Sequence, residues 1–312
     1  MPPATMAALI DAAAKQWTFA SDIEITIEAN PNSAEAARFV DAARAGINRI
    51  SLGLQALDDA ALRFLGRAHG VSEGLAALNA AQTAVPRVSF DLIYARPGQS
   101  EADWEAELTR ALAFGTEHLS LYQLTIEPGT RFATDVRQGG FTPADPDHGA
   151  TLYELTQAMT ARAGIPAYEI SNNARPGAQS RHNLAYWRYQ DYVGIGPGAH
   201  GRRDALATTR HRKPENWMDA VRRNGHGLQE ERALDTAEQG VEALMMGLRL
   251  TEGVDIIALS RRTGLTIPML IDEGAVTRLA GHGLLARDGD RLRVTDAGML
   301  LLDAILPEIV IA

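Results

Sequence analysis

The chain has 312 residues, of which 46% are hydrophobic and 22% charged, so it can bury a large core and approaches the size at which cores split into domains. No apolar run reaches the roughly 20 residues of a membrane helix, and the N-terminal sequence MPPATMAALI lacks the basic and apolar regions of a signal peptide, so we expect a cytoplasmic protein with no membrane span. The net charge of −9 argues against broad attraction to nucleic acid, and the absence of cysteine excludes disulfides, thiolate nucleophiles and cysteine-ligated metal clusters.

Helix-like and strand-like segments alternate over residues 4–124. Helices are predicted at 4–15, 33–45, 58–65, 72–84 and 101–113, and strands at 22–29, 48–55, 87–94 and 118–124. Successive strands that are separated by helices form βα units. The first part of the chain is therefore predicted to contain a parallel sheet, either open or closed into a barrel.

Each of the first three predicted strands has one apolar and one polar face. The apolar faces carry Ile23, Ile25, Ile27, Ile50, Leu52, Leu54, Val88, Phe90 and Leu92. Parallel strands covered by helices on both sides are apolar on both faces, so this alternation favours an incomplete barrel with a polar interior. Glu28, Gln55 and Asp91 lie towards the C-terminal ends of these strands, where barrel sites form. The alternative is that each of these three residues only opens a loop.

The remainder of the chain is predicted to be less regular. A helix is predicted at 147–163, a glycine- and aromatic-rich segment with short strands at 167–201, and a helix at 214–223. Helices near 235–250, 255–262 and 267–281 precede the hairpin sequence LLARDGDRLRVT, which has Asp-Gly at its turn, and a helix from about 296. We predict an incomplete barrel with its extension at 1–227 and a small winged-helix-like α+β module at 228–312.

A winged-helix module raises the alternative of DNA binding. Residues 228–312 contain 8 Arg and 14 Asp or Glu, which gives this part of the chain a net charge of −6. Because DNA-binding domains are locally basic, we expect no nucleic-acid partner.

Seven motifs occur in one order along the chain: EANPN (28–32), SLGLQ (51–55), RAH (67–69), DLIY…PGQ (91–99), YEISN (168–172), HNLAYW (182–187) and GIGPGAH (194–200). Together they resemble the oxygen-independent coproporphyrinogen III oxidase family of radical S-adenosylmethionine (SAM) proteins, and more narrowly its HemW-type haem-chaperone branch. The resemblance runs from residue 1 through the C-terminal module. It implies an α/β fold, a partial (β/α) TIM-like barrel of the radical SAM type followed by a helical module, which agrees with the strand alternation.

The resemblance implies SAM contacts for four residues, Glu28, Gln55, Arg67 and Asp91. An arginine fork suits the carboxylate of SAM, and a carboxylate such as that of Asp91 can accept hydrogen bonds from ribose hydroxyls. Three of these residues are the ones that the alternation places at strand ends. Arg67, taken alone, would be interpreted as a solvated arginine at a helix end.

The chain departs from the family pattern in two places. The family loop Gly-Leu-Pro-Gly-Gln reads ARPGQ at 95–99, so Ala95 lacks the freedom of glycine at positive φ and Arg96 brings a charge. Family members also begin with a Cys-x3-Cys-x2-Cys loop for a [4Fe–4S] cluster and a GGGTP strand, whereas MPPATMAALI resembles the sequence that follows them. We therefore expect an N-terminally truncated member without cluster ligands or radical SAM chemistry, and an unpaired sheet edge at 22–29.

The segment 182–201 becomes a candidate haem or porphyrin site through this resemblance. Imidazole is a common axial ligand to haem iron, so His182 is the first candidate ligand and His200 the second. Tyr186 and Trp187 are candidate walls, because aromatic rings can stack on a porphyrin. Three nearby arginines could pair with propionates: Arg175, Arg181 and Arg188. The alternative is that the histidines bond loop backbone while the aromatic residues pack between the barrel and the module.

Two functions follow from the resemblance. The first is a non-catalytic haem chaperone that binds haem, or a porphyrin, and passes it to an acceptor protein. The alternative is an oxygen-independent coproporphyrinogen III oxidase of porphyrin biosynthesis, if sequence upstream supplies the [4Fe–4S] site. A dimer is left open as the assembly state.

Overall fold

The computed structural model describes residues 1–311, which form two units divided between Gln179 and Ser180. The domain boundary predicted at 227/228 falls inside the second unit and stays a prediction.

The first unit alternates helices and strands in the predicted order. Its helices are α1 (Pro3–Gln16), α2 (Ser33–Ala36), α3 (Phe39–Arg44), α4 (Asp59–Phe64), α5 (Val71–Ala84), α6 (Glu101–Leu112), α7 (Arg131–Arg137) and α8 (Pro146–Arg162). Its strands are β1 (Thr26–Ala29), β2 (Arg49–Gln55), β3 (Arg87–Tyr94), β4 (His118–Gln123) and β5 (Asn172–Ala174). The sheet order is β1-β2-β3-β4-β5. Strands β1 to β4 are parallel and β5 is antiparallel, which confirms the α/β fold with a parallel sheet.

The apolar face of this sheet forms the core of the first unit. Ile50, Leu52, Phe90 and Leu92 are buried there, as the alternation predicted. Trp104 of α6 contributes as well, because its ring stacks on Tyr94 at 4.8 Å. Its indole Nε1 donates to Thr156 Oγ1 of α8 at 2.8 Å, so this polar atom is paired inside the core.

The opposite face of the sheet is polar, and at its N-terminal end it holds a buried ion network. Glu24 accepts from Arg49 at 3.3 Å and from Arg87 at 2.6 Å. Arg49 also donates to Ser89 Oγ at 3.3 Å. Removing one partner from such a network leaves an uncompensated charge, so these groups hold the strand beginnings together.

Strand β1 is an edge of the sheet, as expected, but it begins at Thr26 rather than at residue 22. The reason lies in Asn48, whose side chain accepts from Ile25 N and donates to Ile23 O. These bonds satisfy the backbone of residues 23–25 in place of a strand ladder. Asp22 lies in a turn, and residues 23–25 therefore precede the strand.

The second unit combines two small antiparallel sheets with eight helices among the described residues. The helices are α9 (Arg181–Trp187), α10 (Pro214–Asn224), α11 (Thr236–Gly247), α12 (Ile256–Thr263), α13 (Ile267–Leu270), α14 (Glu273–Gly281), α15 (Asp296–Met299) and α16 (Leu302–Ile309). The strands are β6 (His200–Arg203), β7 (Leu206–Arg210), β8 (Leu228–Ala233), β9 (Val254–Asp255), β10 (Leu285–Asp288) and β11 (Arg291–Val294). The sheets are β6-β7-β8 and β10-β11-β9. The predicted hairpin is confirmed as β10–β11.

Candidate functional site

The strand-end residue Gln55 lies at a local irregularity of β2. The register between β2 and β3 shifts between Leu52 and Gln55, and Gln55 has a φ of 71°. A positive φ is uncommon for a residue with a side chain, and bulges next to sites redirect side chains. The end of β2 is thus held in an unusual conformation at the place where the sequence predicted a site.

Arg67 crosses β2 above Gly53. Its Nη2 atom donates to Gly53 O at 3.3 Å. Its Nε atom is buried and makes no hydrogen bond to any residue of the described chain. Because an unpaired buried donor costs free energy, this atom is available to a ligand. The lone-residue interpretation of Arg67 as a solvated arginine is wrong, since the side chain is partly buried.

Asp91 lies on the polar face of β3, directly opposite Ser120 of β4. Burial raises the pKa of Asp91 to about 6. A hydrogen bond with Ser120 and the guanidinium groups of Arg67 and Arg49 oppose this rise of the pKa, whereas the carboxylate of Glu28 adds to it. These couplings place Glu28, Arg67 and Asp91 in one electrostatic neighbourhood.

The donors and acceptors at this strand end fit a ligand such as SAM, which carries a carboxylate and ribose hydroxyls. The unpaired Nε of Arg67 is a donor for a carboxylate, and Glu28 and Asp91 are acceptors. A [4Fe–4S] cluster does not fit the residues of this chain, because such clusters are held by thiolates and the sequence has no cysteine. Among residues 1–311, no group of three or more His, Asp and Glu is arranged to hold a metal ion.

Two residues of this face were missed in the sequence. Ser120 bonds Asp91, and burial together with the Asp91 charge raises the pKa of Tyr122. The signal was available, because Ser120 and Tyr122 alternate with Leu119 and Leu121 along the fourth predicted strand.

The loop at 95–99, whose sequence departs from the family pattern, is stabilised by a buried ion pair. Ala95 has a φ of 55°, the left-handed conformation that glycine adopts more readily. Arg96 is buried, and its Nη2 atom lies 2.5 Å from Glu107 Oε2 on α6. Glu107 also accepts from Leu57 N at 2.6 Å and Gln99 Nε2 at 3.3 Å. The charge that replaces an apolar residue is therefore neutralised within the first unit.

Helix α9 carries the candidate haem ligand on an exposed face. Ser180 begins the helix, because its side chain accepts from Asn183 N. His182 is exposed, and its ring contacts Tyr186 one turn later at 4.7 Å. Tyr186 in turn lies 4.4 Å from the ring of Tyr192. The sequence prediction of short strands missed this helix, although the Ser180 cap is a recognisable start signal.

Arg202 extends this aromatic cluster further into the second unit. It is buried, and its guanidinium carbon lies 3.4 Å from the ring centre of Tyr189 and 5.5 Å from that of Tyr192. Tyr189 donates to Glu242 at 2.6 Å. These cation–π contacts hold Tyr192, and through it Tyr186, against the body of the unit.

The other two candidate residues lie elsewhere in the second unit. Trp187 is partly buried and lines a cavity with residues of α11, β9 and α12. His200 is exposed and begins β6, where it pairs with Thr209. The helical period of 3.6 residues turns Trp187 away from the stripe of His182 and Tyr186. The structure therefore brings His182 and Tyr186 together and places Trp187 against a separate cavity.

Three histidines outside the candidate haem segment have structural contacts. His69 Nε2 lies 3.1 Å from Leu54 O, and His148 Nε2 lies 2.8 Å from Gln99 O. His118 is buried beside the hydroxyl of Tyr168, and burial holds its pKa well below the usual value.

Comparison with known proteins identifies the class of this molecule. Residues 2–111 match the radical SAM superfamily, and residues 234–301 match the HemN C-terminal domain. The solved coproporphyrinogen III oxidase HemN of Escherichia coli, a radical SAM enzyme, superposes with a TM-score of 0.80 over 98% of this chain and 74% of its own, at 21% identity. The fold and these matches define an α/β protein of the radical SAM type with a HemN-type C-terminal region.

The relatives identify the family more narrowly. The chain is 36% identical to the haem chaperone HemW of Escherichia coli, over 96% of this chain and 78% of that protein. HemW of Mycobacterium tuberculosis is 35% identical, over 96% and 75%. The mitochondrial radical S-adenosyl methionine domain-containing protein 1 of Mus musculus is 40% identical, over 97% and 71%. The chain belongs to the HemW family of radical SAM-related proteins.

The oxidase alternative is not favoured by these comparisons. The coproporphyrinogen III oxidase resembles this chain at 21% identity, and that likeness concerns the fold. The three relatives at 35% to 40% identity carry other names, and the two bacterial ones are haem chaperones. Among the described residues, no helix is both long and apolar enough to cross a membrane.

Proposed function

We propose that this protein binds haem and passes it to an acceptor protein. The observation that carries the proposal is the membership of the HemW family, with about a third of all residues shared with bacterial haem chaperones over nearly the whole chain. The exposed imidazole of His182 beside the Tyr186 ring supports α9 as the place of binding, because neutral imidazole ligates haem iron.

The proposal includes a role for the strand-end site. SAM is its proposed ligand, supported by the unpaired Nε of Arg67 and by the acceptors Glu28 and Asp91, with the Gln55 amide beside them. A bound SAM would be held without a cluster in the 312-residue chain, since cluster ligands are absent. The cytoplasm stays the predicted location and a dimer stays open, while the relative from Mus musculus is mitochondrial.

Titration with haemin tests the haem proposal. We expect a shift of the Soret band on binding, and in His182→Ala an affinity about tenfold lower with an altered band position, because one axial ligand is lost. His282→Ala is the matched control, since His282 is also exposed but lies at the end of α14. His200→Ala tests the second candidate ligand in the same titration.

Transfer tests the second half of the proposal. The haem-loaded protein is mixed with apomyoglobin, and the appearance of the myoglobin spectrum reports passage of haem. No Soret shift with the wild-type chain would refute haem binding. A shift that His182→Ala leaves unchanged would refute the assignment to α9.

A further inference from the structure

The second unit contains a cavity of about 350 Å³ beside the C-terminal end of α9. Trp187, Leu250, Val254 and Leu259 form apolar parts of its wall, and charged side chains form much of the rest. Gly247 forms part of the wall, at a position where an added Cβ would collide with Val254. A cavity of this size that combines apolar walls with polar groups is a usual form of small-ligand site.

Charged side chains surround the cavity, and positive charge is in excess. Three arginines, Arg188, Arg262 and Arg291, line it together with two acids, Glu252 and Asp255. Both carboxylates already have partners. Glu252 accepts from Arg188 at 2.8 and 2.9 Å, and these bonds lower its pKa. Asp255 caps α12.

Arg291 has hydrogen-bond donors at this cavity that the protein itself does not use. Its Nη1 atom donates to the carbonyl groups of Glu252 at 3.2 Å and Gly253 at 3.4 Å. A guanidinium has five N–H donors on three nitrogens. Within residues 1–311, the Nε and Nη2 atoms of Arg291 make no hydrogen bond, so they are free to bind a carboxylate.

We propose that this cavity binds the carboxylate-bearing edge of a tetrapyrrole, with Arg291 taking a propionate and the apolar walls taking the adjoining ring edge. The inference rests on the proposed function for the class of ligand. It adds a subsite that does not involve iron. The cavity volume accommodates one edge of the macrocycle, and the rest extends towards solvent.

A pair of metal-free porphyrins tests this subsite. Protoporphyrin IX and its dimethyl ester are titrated in the same dilute detergent while tryptophan fluorescence is recorded. We expect the diacid to bind about tenfold more tightly than the ester to the wild-type chain, because a charge-assisted hydrogen bond is lost on esterification. Arg291→Gln is expected to reduce that preference to about twofold or less.

Filling the cavity with a larger side chain is a second, independent test of the subsite. Ala258 is an exposed position of α12 that lines the cavity, so Ala258→Phe occupies it without touching the core. We expect a loss of about tenfold in diacid affinity. Ala280→Phe is the matched control, because Ala280 is an exposed position of α14. It should bind as the wild type does, and circular dichroism checks that both variants fold.

Equal affinity for diacid and ester, or an unchanged affinity in Ala258→Phe, would overturn the inference. The outcome is separable from that of the haem proposal. Since the porphyrins lack iron, their preference for the diacid over the ester does not depend on an axial ligand. A lost haemin Soret shift with the diacid preference intact would refute haem ligation and leave this subsite standing.

Discussion

Gly53 controls the position of two side chains at the strand-end site. A Cβ at this position would lie 2.9 Å from Arg67 Nη2 and 3.0 Å from Gln55 Nε2. Both atoms are the ends of side chains, so they can move aside at small cost to folding. The missing side chain of Gly53 is what lets them lie over the strand.

We expect Gly53→Ala to weaken SAM binding about tenfold, because it displaces the arginine that would hold the SAM carboxylate. Isothermal titration calorimetry with SAM measures the effect. Gly281→Ala is the control, since no atom lies within 4 Å of a Cβ there. Equal SAM affinity in wild type and Gly53→Ala would contradict the role given to Arg67.

Asp91 makes a pH-dependent contribution to stability. Its pKa rises from 3.8 to about 6 on folding, mainly through burial. The folded state therefore binds more protons than the unfolded state between about pH 4 and 6. This contribution favours folding at low pH and is lost as pH rises through that window.

Asp91→Asn removes the titration. We expect the free energy of unfolding at pH 7 to increase by up to about 3 kcal/mol, from about two pKa units at 1.36 kcal/mol each. Urea unfolding from pH 4 to 7 measures the change. The difference between variant and wild type should grow with pH, and a difference that is constant across this range would contradict the raised pKa.

At the scale of elements, Glu107 joins three segments of the first unit. It lies on α6 and accepts from Leu57 between β2 and α4, and from Arg96 and Gln99 between β3 and α6. The loops on the C-terminal side of two strands are thereby tied to one helix. The polar residues at those strand ends depend on these loops for their position.

We expect Glu107→Ala to lower the free energy of unfolding by about 3–5 kcal/mol, since it leaves Arg96 buried and unpaired. The double variant Arg96→Leu with Glu107→Leu should lose less, because it buries no charge. Glu105→Ala, at an exposed position of the same helix, should stay within about 0.5 kcal/mol of wild type. Chemical denaturation of the four proteins measures this, and equal losses for both single variants would refute a buried pair.

The elements differ in how far the sequence determined them. Strand β3 has the predicted bounds of 87–94, because its alternation is regular and Pro86 precedes it. Strand β1 is shorter than predicted, because the side chain of Asn48 replaces part of its ladder. Helix α9 was not predicted from the sequence, because glycine and aromatic residues follow it closely. Local sequence patterns do not reveal long-range contacts such as those of the Asn48 side chain.

The candidate site, like the fold, was predictable from the sequence only in part. Alternation placed Glu28, Gln55 and Asp91 on one edge, because parallel strands end together. The orphaned Nε of Arg67 and the separate direction of Trp187 could not be predicted, since both depend on tertiary packing. Residue types can be predicted from a family pattern, whereas free donors and cavities cannot.

For the whole molecule, the absence of cysteine gives a direct prediction. We expect anaerobic incubation of the 312-residue chain with ferrous iron and sulfide, followed by gel filtration, to leave no stoichiometric iron and none of the visible absorbance of a cluster. A cysteine-containing iron–sulfur protein treated in parallel is the positive control. Four retained iron atoms per chain would require ligands other than thiolates.

The exposure of His182 on α9 has a kinetic consequence. A haem held at a surface side chain buries only part of its area, and differences in affinity arise mainly from the rate of departure. We therefore expect a short residence time, with haem leaving within the lifetime of an encounter with an acceptor. Such rapid release suits a protein that delivers haem, whereas a haem-storage protein would enclose the ligand.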